Sequence, residues 1–150
     1  MIALDFAFAA RVTVAPAVEL GVTPIGRRRI IPITGGTVEG PRLCGRVLPG
    51  GADWQIIRAD GTAELEARYT LEAADGALVS VVNRGYRHGP PEVMARLFAG
   101  EPVDPASYYF RCSPTFETAA PAYQWLNRTV FLGSGVRHPD AVEIQIYAAL

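Results

Sequence analysis

The chain has 150 residues, a hydrophobic fraction of 49%, a charged fraction of 19% and a formal net charge of -1 at pH 7. This length predicts one domain, residues 1–150, with a sizeable core. The near-neutral balance excludes the basic footprint of a nucleic-acid or anionic-membrane binder.

All 14 basic residues are arginine. No Schiff-base lysine is therefore available, and every cation is a planar, permanently charged fork suited to carboxylates. Cys44 and Cys112 lie far apart without a metal-ligand or CxxC pattern. They read as reduced thiols in a cytoplasmic protein, with a disulfide between them the open alternative. Asp5 stands where a secretory signal needs an apolar run, and no apolar stretch approaches the roughly 18 residues of a membrane span. No targeting segment or membrane span is expected.

In chain order, Ile2 to Val14 alternates loosely as a strand, and Pro16 to Gly26 reads as a loop. Ile30 to Ile33 is a short strand that Pro32 confines to an edge or bulge. The Gly35-Gly36 pair predicts a sharp bend or a close backbone approach. A phosphate cradle is the alternative, but the Gly-Lys-Ser/Thr ending and the following helix are missing. Leu43 to Leu48 and Asp53 to Arg58 are the next strands.

Thr62 to Glu72 alternates cleanly, with Ala63, Leu65, Ala67, Tyr69 and Leu71 on one face. Two Asp-Gly turns, Asp60-Gly61 and Asp75-Gly76, join this run to its neighbours as an antiparallel meander. Pro91 to Phe98 is a helix, started by proline and stopped by Gly100. Strands follow at Ser107 to Ser113 and, beyond a break at Pro114, at Thr115 to Thr118. Pro121 to Trp125 reads as a turn, Asn127 to Leu132 as a strand, Gly133-Ser134-Gly135 as a turn, and Val142 to Ala148 as the last strand. Many short strands, one helix and abundant Gly/Pro turns argue for an all-β barrel or sandwich.

Four segments carry a resemblance: GRRRIIPITGGTVEGPRLCGRVLPGGADWQ, RADGTAELEARYTLEAADGALVSVVNRG, YYFRCSPTFET and YQWLNRTVFLGSG. Over about Thr23 to Tyr147 the chain resembles the bacterial and fungal family catalogued as domain of unknown function 3237, also called uncharacterised protein family 0311. The resemblance implies an antiparallel β-barrel similar to calycin and allene-oxide-cyclase barrels, associated into homo-oligomers. It implies no assigned activity, and fold alone does not set function.

The stretch from Tyr108 to Arg128 concentrates aromatic bodies and charged tips that are costly to bury unpaired. A separation of six puts Arg111 and Glu117 on one strand face about 20 Å apart. A break at Ser113-Pro114 brings them together. Arg111 then anchors a ligand oxyanion while Glu117 acts as general base; the alternative is a structural ion pair. Tyr109 shares the face of Arg111 and is a candidate proton donor. Tyr123 and Trp125 are candidates for an aromatic ligand wall, or for ordinary packing.

Asp53 begins a strand after Gly50-Gly51, as an acid or base at a barrel mouth or as a turn cap. Trp54 is either a stacking wall or a core residue. Arg68 opposes Tyr69 across its strand. It is an anion anchor if its face turns inward, and part of a surface charge ladder with Glu64 and Glu66 if not. His88 and His138 have no companions at ligand spacing, so no metal is expected, and no cofactor motif occurs.

Two functions fit. One is a cofactor-independent enzyme that encloses an apolar or aromatic metabolite and moves a proton with Glu117 or Asp53 and Tyr109, giving isomerase, cyclase or lyase chemistry. Arg111, Trp54, Arg68, Tyr69, Tyr123 and Trp125 are its candidate binding residues. The other is a non-catalytic ligand-binding barrel or a structural oligomer subunit.

Overall fold

The computed structural model describes Met1–Leu150. Ten strands are present: β1 (Leu4–Val14), β2 (Val18–Thr23), β3 (Gly26–Glu39), β4 (Gly45–Val47), β5 (Ala52–Ile57), β6 (Ala63–Ala73), β7 (Leu78–His88), β8 (Tyr109–Glu117), β9 (Phe131–Arg137) and β10 (Ala141–Ala149). Helix α1 (Pro91–Phe98) follows β7, and 3-10 segments occupy Pro105–Ser107 and Pro121–Arg128.

Every pairing is antiparallel, and β1 pairs with both β10 and β3, which closes the sheet into a barrel. The wall has eight staves: β4 and β5 share one place between β3 and β6, and β2 runs outside the circuit, paired only to β3. Closure removes the sheet edges that an open sheet would expose. No helix is long and apolar enough to cross a membrane.

Several local expectations are corrected. The Pro16 to Gly26 loop contains β2, which forms a hairpin with β3. Strand β3 is long, and Pro32 stands where it changes partners, from β2 and β5 on one side of the proline to β1 and β4 on the other. A missing N–H is tolerated at such a discontinuity. Gly36 supplies the expected close approach: a Cβ there would collide with the Arg11 carbonyl.

Strand β1 carries a bulge between Phe6 and Phe8, which breaks its alternation. Ala7 and Phe8 are both buried, while Phe6 packs edge-on against Tyr147 at 5.6 Å. Gly133-Ser134-Gly135 is the middle of β9, not a turn. A Cβ on Gly135 would lie 2.6 Å from the Phe110 ring, and one on Gly133 would strike the Cys112 sulfur. These glycines make room for side chains of the neighbouring strand.

The interior divides into two halves. At one end Phe8, Phe116 and Phe131 pack edge to face, with centroids 5.7 and 5.0 Å apart. The 121–128 segment closes this end through buried Leu126 and through Trp125, which packs on Phe131. Helix α1 and its flanking turns lie over the other end, between β7 and β8, with Met94 buried. That half is incompletely filled.

Candidate functional site

A cavity of about 50 Å³ lies in the half beneath α1. Most of its wall is aliphatic or aromatic: Ile31 and Ile33 of β3, Leu65 and Tyr69 of β6, Phe110 of β8, and Ile144 of β10. Into this apolar space the alternation of four strands also delivers polar groups: Asp53 and Gln55 from β5, Asn83 and Arg87 from β7, Cys112 from β8 and Arg137 from β9. A second recess of about 30 Å³, bounded by Arg29, Leu97 and Phe98, shares Arg87 and Arg137 as walls.

Asp53 is held firmly. Its Oδ2 accepts from Gln55 Nε2 at 2.8 Å and its Oδ1 accepts from the Glu66 backbone N–H at 3.0 Å. Enclosure in the barrel nonetheless raises its pKa above the usual carboxylate value, because desolvation outweighs those hydrogen bonds and the nearby arginines. Arg87 is only 3% exposed. Its guanidinium lies 5.5 Å from the Phe110 ring centroid, and its Nε–H has no acceptor. Burial lowers the pKa of Arg87 to about 10. Desolvation likewise lowers that of Arg137, with Arg29 adding repulsion.

No ion pair joins Asp53 to either arginine. An enclosed carboxyl, the buried Arg87 guanidinium and the half-buried Arg137 guanidinium thus share one apolar cavity without closing on each other. Gln55 Oε1 and Asn83 Oδ1 are also buried without a partner. Buried polar atoms in folded proteins are nearly always satisfied, so this concentration of unmatched groups is informative. Burial also pushes the Tyr69 phenol and the Cys112 thiol upward, the latter to about 11. Asn83 Nδ2 donates to the Cys112 sulfur at 3.3 Å. A thiol so shielded is a poor nucleophile. No group of three His, Cys, Asp or Glu side chains has a metal-binding arrangement.

Of the residues singled out from the sequence, Asp53 and Tyr69 reach this cavity. The others do not. β8 runs unbroken through Pro114, so Tyr109, Arg111 and Glu117 all stay on its outer face. Tyr109 stacks on His88 at 4.8 Å, with the Arg111 guanidinium 5.7 Å from its ring. Trp54 also faces outward, since Asp53 and Gln55 take the inward positions of β5. Arg68 lies in a surface ladder, 3.8 Å from Glu66, which Arg84 approaches at 2.8 Å.

Tyr123 and Trp125 belong to the closed end. The Trp125 ring packs on Phe131 and carries the Arg42 guanidinium at 3.8 Å. Of the two adjacent tyrosines, Tyr108 lies just before β8 and Tyr109 opens it. Tyr108 is the buried member, its hydroxyl accepting from the Arg137 backbone N–H at 3.0 Å.

Arg87, Arg137, Gln55 and Asn83 escaped the sequence reading. A signal for them existed. Val79, Val81, Asn83 and Arg87 share one face of β7, as Phe131 and Arg137 share one face of β9. Polar residues that continue an apolar face mark an interior site.

The sequence profile described as a protein of unknown function, DUF3237, matches residues 2–149. The chain belongs to the DUF3237 family. A UPF0311 protein of Rhodopseudomonas palustris is 51% identical over 146 residues, covering 97% of this chain and 94% of that protein. The crystal structure of a conserved protein of unknown function from the same species superimposes with a TM-score of 0.98 at 46% identity, covering 100% of this chain and 99% of the other. A more distant relative, 27% identical over 131 residues, covers 87% of this chain and 72% of its own length. It is the hydroalkoxylation enzyme phnH of Penicillium herquei.

Proposed function

We propose that this DUF3237 barrel is a cofactor-independent acid–base enzyme acting on a small, mainly apolar molecule held between Asp53 and the arginines Arg87 and Arg137. The observation that carries this reading is the open pair: a raised-pKa carboxyl and an acceptorless guanidinium share one apolar cavity without an ion pair. Perturbed titratable groups converging on a cleft are a general mark of catalytic sites. The distant kinship to a hydroalkoxylation enzyme supports a reaction in which protons are moved and no redox change occurs.

In an isomerisation, the Asp53 carboxylate takes the proton from a carbon beside a carbonyl. The C–H electron pair shifts into an enolate, whose oxygen lies against Arg87 and Arg137. The Asp53 carboxyl then returns the proton to a different carbon, and the enzyme is regenerated. Burial serves both steps, because it brings the carboxyl nearer the pKa of an effective general base and strengthens the arginine field. Gln55 and the Glu66 N–H keep the carboxyl aimed.

The same groups serve an addition. Protonated Asp53 gives its proton to an alkene carbon, a substrate hydroxyl oxygen bonds to the other carbon, and the hydroxyl proton returns to Asp53.

The test is solvent-deuterium exchange, followed by NMR, into a panel of small cyclic enones, β-diketones and phenol-bearing alkenes. The wild type is compared with Asp53→Asn. The proposal requires enzyme-dependent exchange that the variant lowers at least 100-fold while the fold persists. A hit that binds both proteins and exchanges with neither makes the barrel a binding protein. Exchange that survives the substitution removes Asp53 from the chemistry.

A further inference from the structure

The arginines at the mouth of the cavity outnumber the acids that answer them. Arg87 and Arg137 come from the inward faces of β7 and β9, and Arg29 reaches the same recess from β3. Arg87 is nine-tenths buried or more, and its Nε–H has no acceptor. One nitrogen of Arg137, Nη1, is tied to backbone carbonyls of the next turn, donating to His138 O at 2.6 Å and to Ala141 O at 3.3 Å. Arg29, with a side chain only 12% exposed, is ion-paired to Glu19 at 2.8 Å, and its guanidinium sits 4.8 Å from the Phe98 ring centroid.

The acids nearby are few. Asp53 lies within the cavity and Asp140 in the β9–β10 turn, and Glu19 is shared between Arg27 and Arg29. None forms an ion pair with Arg87 or Arg137. Three clustered guanidinium groups repel one another, and one of them is buried without hydrogen-bond compensation. Such a cluster is costly to fold unless something else answers it.

We propose that Arg29, Arg87 and Arg137 form a carboxylate-binding cradle, so that the ligand of this barrel is a small organic carboxylate. Its head group sits in the recess under Leu97 and Phe98, and its apolar body extends into the cavity toward Asp53. A carboxylate has the planar, two-oxygen geometry that guanidinium forks engage in pairs, and it answers the open N–H of Arg87. The opposite end of the same molecule cannot be a second anion, because it meets Asp53 among aliphatic walls. The size of the space favours a compact acid, and a longer one requires α1 to move outward. This assignment rests on the cavity being the working site proposed above, but not on Asp53 transferring a proton.

The experiment is calorimetric titration at about pH 7.5 in low-chloride buffer with three acid–amide pairs: acetate and acetamide, crotonate and crotonamide, benzoate and benzamide. Each pair differs chiefly in charge. The expected result is that at least one acid binds ten-fold or more tightly than its amide. That preference falls at least ten-fold in Arg87→Met and is weakened in Arg137→Gln, while Asp53→Asn keeps it. Equal binding of acid and amide, an undiminished preference in both arginine variants, or no binding of any acid overturns the cradle. Carboxylate preference with no Asp53-dependent exchange on any compound refutes the acid–base reading and leaves the cradle standing. Exchange on neutral enones without carboxylate preference does the reverse.

Discussion

Replacing Arg87 with methionine should stabilise the unliganded protein. Methionine keeps most of the aliphatic length of arginine, packs adaptably and carries no charge. Burial lowers the pKa of Arg87 to about 10, well below the ordinary arginine value. At about 1.4 kcal/mol per tenfold, that difference corresponds to roughly 3 kcal/mol by which the folded state disfavours the charge.

Two losses reduce the gain. The guanidinium leaves the face of Phe110, a contact of 5.5 Å worth about 0.5–1 kcal/mol, and the smaller methionine leaves part of the arginine's space unfilled. The attraction to Asp53 is already contained in the lowered pKa. A net gain of about 1–2 kcal/mol remains, or a rise in Tm of roughly 2–8 °C for a chain of this size. Scanning calorimetry in a buffer without carboxylates measures it, with urea unfolding followed by tryptophan fluorescence as a second readout. A fall in Tm would refute the reasoning. It would mean that the guanidinium of Arg87 is satisfied in the folded protein and is a structural tie, not a group held ready for a ligand.

Asp53 makes a pH prediction. Its folded-state pKa is raised, so the folded protein takes up this proton at a higher pH than the unfolded chain. Relative to Asp53→Asn, the wild type should therefore gain stability as pH falls through the folded pKa of Asp53 toward the ordinary value of 3.8. It should lose that advantage as pH rises again. Thermal melts of both proteins between about pH 8 and pH 4 check this, and parallel curves would contradict it. Gly135→Ala should drive a methyl group into the Phe110 ring, cost about 1–3 kcal/mol in urea unfolding and abolish binding of any cavity ligand. Glu117→Gln and Tyr109→Phe lie on the outer face of β8 and should change stability by less than about 0.5 kcal/mol. Neither should alter deuterium exchange, and loss of exchange in either would return the chemistry to the outer surface.

The hairpins and the helix were readable because their signals are local. Asp60-Gly61 and Asp75-Gly76 demand tight turns, the alternation of β6 is strict over its length, and Pro91 and Gly100 bracket α1. The continuity of β8 was not readable. Pro114 looks like a breaker, yet it lies beyond the last β8–β9 pair, Cys112 with Gly133, so its missing N–H interrupts no ladder on that side. Whether a proline breaks a strand depends on which neighbour stands beside it, and that is a long-range fact. Gly133 and Gly135 mislead for the same reason. Their lack of a side chain serves Phe110 and Cys112 on another strand, not a turn in their own.

By itself the sequence determined the alternation of side chains and therefore which residues travel together: Asp53 with Gln55, Arg87 with Asn83, and Tyr109 with Arg111 and Glu117. Period two says nothing about which of the two faces is inside. Closure of β1 onto β3 decided that for every stave at once. It carried Asp53, Arg87 and Arg137, far apart in the chain, into one apolar cavity. By the same act it turned Trp54, Arg68 and Glu117 to the outer face of the wall.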